Sequence, residues 1–160
     1  MDIYTADLCD DFIDILQVAT PIDFKDYGGR KNFHGEIVTI KCFEKNPLVK
    51  QTLNTDGTGK VLVVDGGGSL KCALMGDNLA ALAIKNNWNG VLIYGCIRDS
   101  REISTMEIGI KALNTTPRKS IKIPEGDINN TVSFADVNFT PGHYIYCDED
   151  GIVVSEKKLV

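Results

Sequence analysis

The stretch GVLIYGCIRDSRE, residues 90 to 102, decides how the chain is read. Val91, Leu92, Ile93 and Tyr94 form a β-branched and aromatic run of the kind that makes a buried strand. Gly95 ends the run, and Arg98 and Asp99 follow, with Glu102 in the next turn. Charged residues just past the C-terminal end of a buried strand stand where open α/β folds place their chemistry. Asp99 is a hard oxygen ligand suited to Mg²⁺ or Mn²⁺. Arg98 is a planar fork that grips a carboxylate at two points. Taken alone, the pair is equally an ordinary piece of loop, so the surrounding sequence has to choose.

Toward the N-terminus, Val61 to Val64 reads as a second buried strand, followed by Asp65-Gly66-Gly67-Gly68. Asp77 to Trp88 reads as a helix, apolar almost all round and therefore expected to be largely covered. Strand, helix and strand between Val61 and Tyr94 make a βαβ unit with parallel strands. The helix then starts at the C-terminal ends of the strands, on the same side as Arg98 and Asp99. Gly76, Asp77, Asn78 and Leu79 form that start. Its free N–H groups and positive dipole end suit a small carboxylate or phosphate. The triple glycine matches neither phosphate-loop nor dinucleotide fingerprint. It is expected instead to let backbone pass close to a ligand or a neighbouring chain.

Further out, Thr5 to Leu16 reads as a helix, with Leu8, Phe12, Ile15 and Leu16 on one face and Thr5 as cap. A loop with Gly28-Gly29-Arg30, a strand from Gly35 to Phe43 and a short helix from Pro47 to Leu53 follow. The last third holds short strands around Ile121–Ile123, Val132–Phe134, Val137–Phe139, Tyr144–Tyr146 and Ile152–Val154. These suit antiparallel sheet, with Asp148 to Gly151 a solvated turn from which an acidic residue, or Glu156, could approach a metal on an adjacent subunit. Residues 1–160 read as one α/β domain.

Composition narrows the functions. A net charge of −5 without a basic block argues against nucleic acid. No apolar run approaches a membrane span, and the acidic MDIYTADLCDDF is no signal peptide. Five scattered cysteines, never in a CxxC pair, fit reduced thiols in a cytoplasmic protein. Two histidines are too few for a His-based metal centre, and both read as structural or surface residues. Any metal would sit on oxygen.

In order along the chain stand LCD near Leu8, GGR followed by F-x-G (Gly28 to Gly35), VLVVDGGGS (Val61 to Ser69), the Gly76-Asp77 helix start, GVLIYGCIRD and DEDGIVVSE (Asp148 to Glu156). With these blocks the chain resembles the family of the regulator of ribonuclease E activity A and the 4-hydroxy-4-methyl-2-oxoglutarate aldolases. The resemblance implies an α/β/α sandwich with a swivelling-domain-like β core. It also implies a ring-shaped homotrimer with sites near subunit boundaries. The aldolase branch carries a glycine, a long spacer and R-D-x-x-[E/D], which Gly76 and Arg98-Asp99-Ser100-Arg101-Glu102 resemble. Carried over, Asp99 holds a divalent metal, Arg98 holds substrate, and the amides of Gly76 to Leu79 hold the carboxylate of a small 2-oxo acid. That implies a metal-dependent lyase, with oxaloacetate decarboxylation as a second activity and a metal-bound water as the base. The regulator branch implies instead a trimer that binds a ribonuclease E-type protein, and the length and VLVVDGGGS block resemble that branch. No methyltransferase-type cofactor loop follows the first strand.

Overall fold

In the computed structural model, which describes residues 2–160, the chain opens with α1 (Thr5–Phe12), a 3-10 turn (Ile13–Ile15) and β1 (Leu16–Val18). Then come β2 (Lys25–Asp26), β3 (Phe33–Lys41), α2 (Pro47–Leu53), β4 (Lys60–Asp65) and β5 (Ala73–Met75). The middle holds α3 (Asp77–Lys85), β6 (Gly90–Ile97), α4 (Ser100–Ile103) and β7 (Gly109–Thr115). The last part is all β: β8 (Asp127–Ile128), β9 (Val132–Phe134), β10 (Val137–Phe139), β11 (Tyr144–Asp148) and β12 (Gly151–Ser155).

Ten strands form one mixed sheet in the order β1-β12-β11-β3-β4-β6-β7-β2, with β5 beside β6 and β8 beside β3. The expected βαβ unit is there: β4 and β6 are neighbours and parallel, pairing Val61 with Gly90 and Asp65 with Tyr94. β3 and β7 extend the parallel block on either side, β5 also pairs parallel with β6, and the remaining pairings within the sheet are antiparallel. The α/β class read from the sequence is the one found.

Alternation along the strands separates two cores. Leu62, Val64, Val91 and Ile93 face one way, packing with Leu53 of α2, Ala83 of α3 and Ile103 of α4. Leu8 of α1 packs on Tyr146 and Val153, which share that face. Val61, Val63 and Leu92 face the other way, onto Phe134, Val137 and Phe139 of the β9–β10 hairpin. Helices therefore cover one face of the sheet and a β-hairpin covers the other.

Several local readings change. The first helix stops at Phe12 because Leu16 pairs with Ser155 in the sheet, and Ile15 is left 53% exposed. Sheet pairing overrides the helical spacing. Thr5 is no cap. It begins the helix and gives both its N–H and its hydroxyl to the Asp148 carboxylate, each at 2.7 Å. Asp148 is consequently buried rather than solvated, and it also accepts from the Asp150 N–H. Ile121 to Ile123 is not a strand: Ile121 makes a single bridge to Lys45, and both isoleucines are half exposed. α3 ends at Lys85 and buries fully only Ala80 and Ala83, so it lies on the surface rather than under cover.

One buried ion pair ties the β2 edge to the sheet. Lys111 Nζ stands 2.9 Å from Asp26 Oδ1, and the lysine side chain is 3% exposed. Removing one partner strands the other charge, which is the expensive way to break such a pair. Lys111→Ala is expected to lower stability by about 3 kcal/mol in denaturant unfolding. The double variant Lys111→Met, Asp26→Leu should recover most of that loss, because no uncompensated charge remains.

Candidate functional site

The glycine loop after β4 turns out to serve the fold. Gly67 and Gly68 have φ of +69° and +71°, a region that favours glycine. The N–H groups of Gly66 and Gly68 both donate to the Tyr94 carbonyl, at 3.0 and 3.1 Å, and the Gly67 N–H donates to Asp65 Oδ1 at 2.9 Å. A Cβ on Gly67 would strike the Phe43 ring, and one on Gly68 would press on Tyr94. The close approach is to the protein's own side chains, and these three amides already have protein acceptors.

Past this loop β5 returns to pair with the far end of β6, Ala73 opposite Cys96. That places the start of α3 directly beside the loop leaving β6. The Arg98 N–H donates to the Met75 carbonyl at 2.9 Å, locking the two segments together. Asp99 Oδ2 accepts the N–H of Asp77 at 3.1 Å. Residues far apart in the sequence thus meet at one helix start. A Cβ at Gly76 would lie 2.5 Å from Asp99 Oδ2 and 3.3 Å from Arg98 Cγ, so any larger residue would displace the Asp99 carboxylate. Asp99 itself adopts the left-handed conformation, φ 59° and ψ 38°, as N-cap of α4. Non-glycine residues there carry strain, and such strain gathers at functional sites.

Gly76, Asp77, Asn78, Leu79, Arg98 and Asp99 line one pocket of about 650 Å³, all six residues singled out from sequence. Its far wall was not foreseen. Asn46 precedes α2 and Lys50 lies within it, and Lys119, Ser120 and Lys122 come from the chain after β7. Asn46 is buried and donates to the Leu74 carbonyl at 3.0 Å, while its Oδ1 accepts Lys122 Nζ at 2.8 Å. Burial lowers the pKa of Lys122, and the nearby charges of Arg98, Lys119 and Lys50 lower it further. Two carboxylates, Asp77 and Asp99, therefore face several cations inside a protein of net charge −5. Arg98 makes no ion pair among the described residues, and its guanidinium only grazes the Pro117 carbonyl at 3.5 Å. Its fork is free for an anion.

Among the described residues no group of three His, Cys, Asp or Glu side chains could hold a metal ion. A single carboxylate oxygen donor such as Asp99 suits Mg²⁺ or Mn²⁺. Such ions often take one or two carboxylates and complete their shell with water and substrate oxygens. Asp99 fits that donor set: Oδ2 is engaged by a backbone amide, no hydrogen bond among the described residues engages Oδ1, and the residue is exposed to the pocket.

Among the described residues no cysteine or histidine lines this pocket. All five cysteines are free, and Cys42 is pushed up to about 12 by burial and then by the Asp65 carboxylate. His34 stacks on Tyr146 at 5.6 Å, with its pKa lowered by burial. Asp148, bound to Thr5, is occupied with structure, and neither it nor Glu156 lines this pocket. No helix among the described residues is long and apolar enough to cross a membrane.

The RraA-like family profile, described as Aldolase/RraA, matches residues 5–154. A protein of Alkalilimnicola ehrlichii, provisionally named a 4-hydroxy-4-methyl-2-oxoglutarate aldolase, is 54% identical over 160 residues, covering 100% of this chain and 99% of the relative. A protein of Aromatoleum aromaticum with the same provisional name is 56% identical, with both chains covered in full. Among solved structures, an S-adenosylmethionine:2-dimethylmenaquinone methyltransferase from Geobacillus kaustophilus superposes with a TM-score of 0.96 at 48% identity, covering 98% of this chain and 97% of that one. The RNA-processing inhibitor RraA from Thermus thermophilis superposes with a TM-score of 0.95 at 39% identity, covering 100% and 96%.

Proposed function

As the chain belongs to the RraA-like (Aldolase/RraA) family, we propose that it is a divalent-metal-dependent lyase. Its reaction is the retro-aldol cleavage of 4-hydroxy-4-methyl-2-oxoglutarate to two molecules of pyruvate, with decarboxylation of oxaloacetate as a second activity. The observation that carries the reading is the convergence of Arg98, Asp99 and the α3 start on one pocket whose other wall is cationic.

Asp99 would hold Mg²⁺ or Mn²⁺ through its free oxygen. When bound, the metal supplies Lewis-acid polarisation of the substrate's 2-oxo group. The chain's own groups do the rest. The N–H groups at the start of α3 bind the carboxylate next to the oxo group, aided by the helix dipole. Arg98 holds the oxygen on which negative charge grows as the enolate forms. Asp77 is the other carboxylate of the pocket, and in this reading it, rather than the metal-bound water expected from the sequence, would take the proton of the 4-hydroxyl. As that proton leaves, the C3–C4 bond breaks, C4 becomes the carbonyl of one pyruvate, and the electron pair passes into the enolate of the other. A proton then returns to C3. With oxaloacetate the same bond breaks, carbon dioxide leaves, and the same enolate results. Lys122 and its cationic neighbours attract the distal carboxylate.

The test is pyruvate release from both substrates with Mg²⁺ or Mn²⁺ and with excess chelator. Turnover well above the metal-only background supports the lyase, and its absence ends the reading. A methyltransferase reading draws nothing from the pocket, because the triple-glycine loop after β4 packs on Tyr94 and Phe43. Binding of a ribonuclease E-type protein rests on the likeness to RraA alone, with no feature of the pocket to favour it. A cytoplasmic homotrimer belongs to the same proposal. It draws support from the free cysteines and from the exposed Ile121 and Ile123 beside the pocket.

Two effects follow within this reading. Gly76→Ala should push the Asp99 carboxylate off its amide, and misplacing a catalytic group by about 1 Å costs roughly 10²-fold. The assay should show that loss in kcat/KM with the melting temperature little changed. Raising the pH should also weaken substrate binding early. Lys122 binds an anion only while protonated, and its lowered pKa means the proton leaves below the ordinary lysine value of about 10.4. KM should therefore rise on the alkaline side sooner than a normal lysine would dictate. In Lys122→Arg, which keeps its charge throughout, that limb should vanish.

A further inference from the structure

Among the described residues, Ser120 is the one member of this pocket whose buried side-chain polar atom has no hydrogen-bond partner. The residue is 4% exposed, and its Oγ is buried with no hydrogen bond among the described residues. Buried hydroxyls left unpaired are rare and destabilising, and each needs a reason. The backbone cannot shift to find a partner, because it is pinned on both sides. Lys119 bridges to Ala73, Ile121 bridges to Lys45, and the Ile121 N–H donates to the Glu44 carbonyl at 2.9 Å. The remaining freedom is rotation of the side chain among its staggered positions. The open space it borders is the pocket, between Lys119 and Lys122, which line the same wall.

Resting on the lyase reading for the identity of the ligand, we infer that Ser120 is a specificity residue whose hydroxyl turns into the pocket and donates to the distal carboxylate of a dicarboxylate 2-oxo acid. Lysines attract an anion from many directions, whereas a hydroxyl on a fixed backbone recognises an oxygen at one place. The unpaired state of the free protein is relieved on binding. A ligand that lacks the second carboxylate leaves Ser120 as it was.

The test uses 2-oxoglutarate, which has both carboxylates but no 4-hydroxyl to cleave, and pyruvate, which has one carboxylate. Calorimetric binding of each to the Mn²⁺-loaded wild type and Ser120→Ala reads the proposal without turnover. The expected result is roughly tenfold weaker binding of 2-oxoglutarate to the variant and unchanged binding of pyruvate. The ligand-free variant should melt at the same temperature or higher, since an orphaned hydroxyl has been removed. Unchanged 2-oxoglutarate binding, equal losses for both ligands, or a wild type that binds 2-oxoglutarate no better than pyruvate would each overturn the assignment. So would a lowered melting temperature, which would mark the hydroxyl as structural. The lyase reading fails separately: a wild type that binds both ligands but releases no pyruvate from the cleavable substrates leaves Ser120 in place and removes the reaction.

Discussion

Asp99→Ala is expected to bring pyruvate release down to the metal-only background, a loss of roughly 10³-fold or more, with both oxaloacetate and 4-hydroxy-4-methyl-2-oxoglutarate. The size follows from the poverty of the site. Among the described residues no group of three candidate ligands stands together, and of the two pocket carboxylates Asp77 serves as the base in this reading, so Asp99 is left to hold the metal. Stability should move differently. Asp99 holds a left-handed backbone, φ 59°, which side chains other than glycine enter at a cost, although aspartate and asparagine tolerate it best. Asp99→Gly should therefore match or exceed the wild type in melting temperature while being equally inactive. Asp99→Asn keeps a side-chain oxygen for the Asp77 N–H but loses the charge, so it should retain the local fold without metal binding. Mn²⁺ titration by calorimetry separates these cases from a folding defect. Near-wild-type, metal-dependent turnover in Asp99→Ala would remove Asp99 from the proposed chemistry.

The half of the pocket built on β5, α3 and β6 was legible because its logic is topological. A strand, a helix and a parallel strand bring the helix start and the end of the second strand to the same side of a sheet. Gly76 could thus be matched with Asp99 before any distance was known. The other half was not legible. Lys119, Ser120 and Lys122 lie in a segment whose alternating Ile-Lys-Ile resembles a strand, yet its apolar residues face solvent and it is held by single bridges. Such a segment is placed by what it crosses, and local pattern carries no record of that. The same holds for Asp148. A run of acidic residues next to glycine reads as a wet turn, and only the arrival of α1 from the other end of the chain makes its first member a buried anchor. The apolar surface of α3 misled in the opposite direction, since composition predicts cover all round and the fold buries only Ala80 and Ala83 fully, with Leu79 and Leu82 half covered.

Arg98→Lys is expected to lower kcat/KM by roughly 10²-fold, the scale of losing one well-placed stabiliser of growing negative charge. The substitution keeps the charge and so isolates geometry. Lys50, Lys119 and Lys122 already make the pocket electropositive, so attraction of an anion should survive, with KM changing less than kcat. What disappears is the planar fork, which the wild type leaves free of ion pairs. An ammonium is a point charge and cannot follow two oxygens as the bond to C4 stretches. The choice of substrate makes the experiment diagnostic. Cleavage of the hydroxy acid and decarboxylation of oxaloacetate differ in what leaves C3 but share the enolate that remains. An arginine that stabilises this enolate must slow both reactions by the same factor. A loss confined to the hydroxy acid would place Arg98 on the departing half of the substrate instead, and the enolate would then have to be held by the helix start alone.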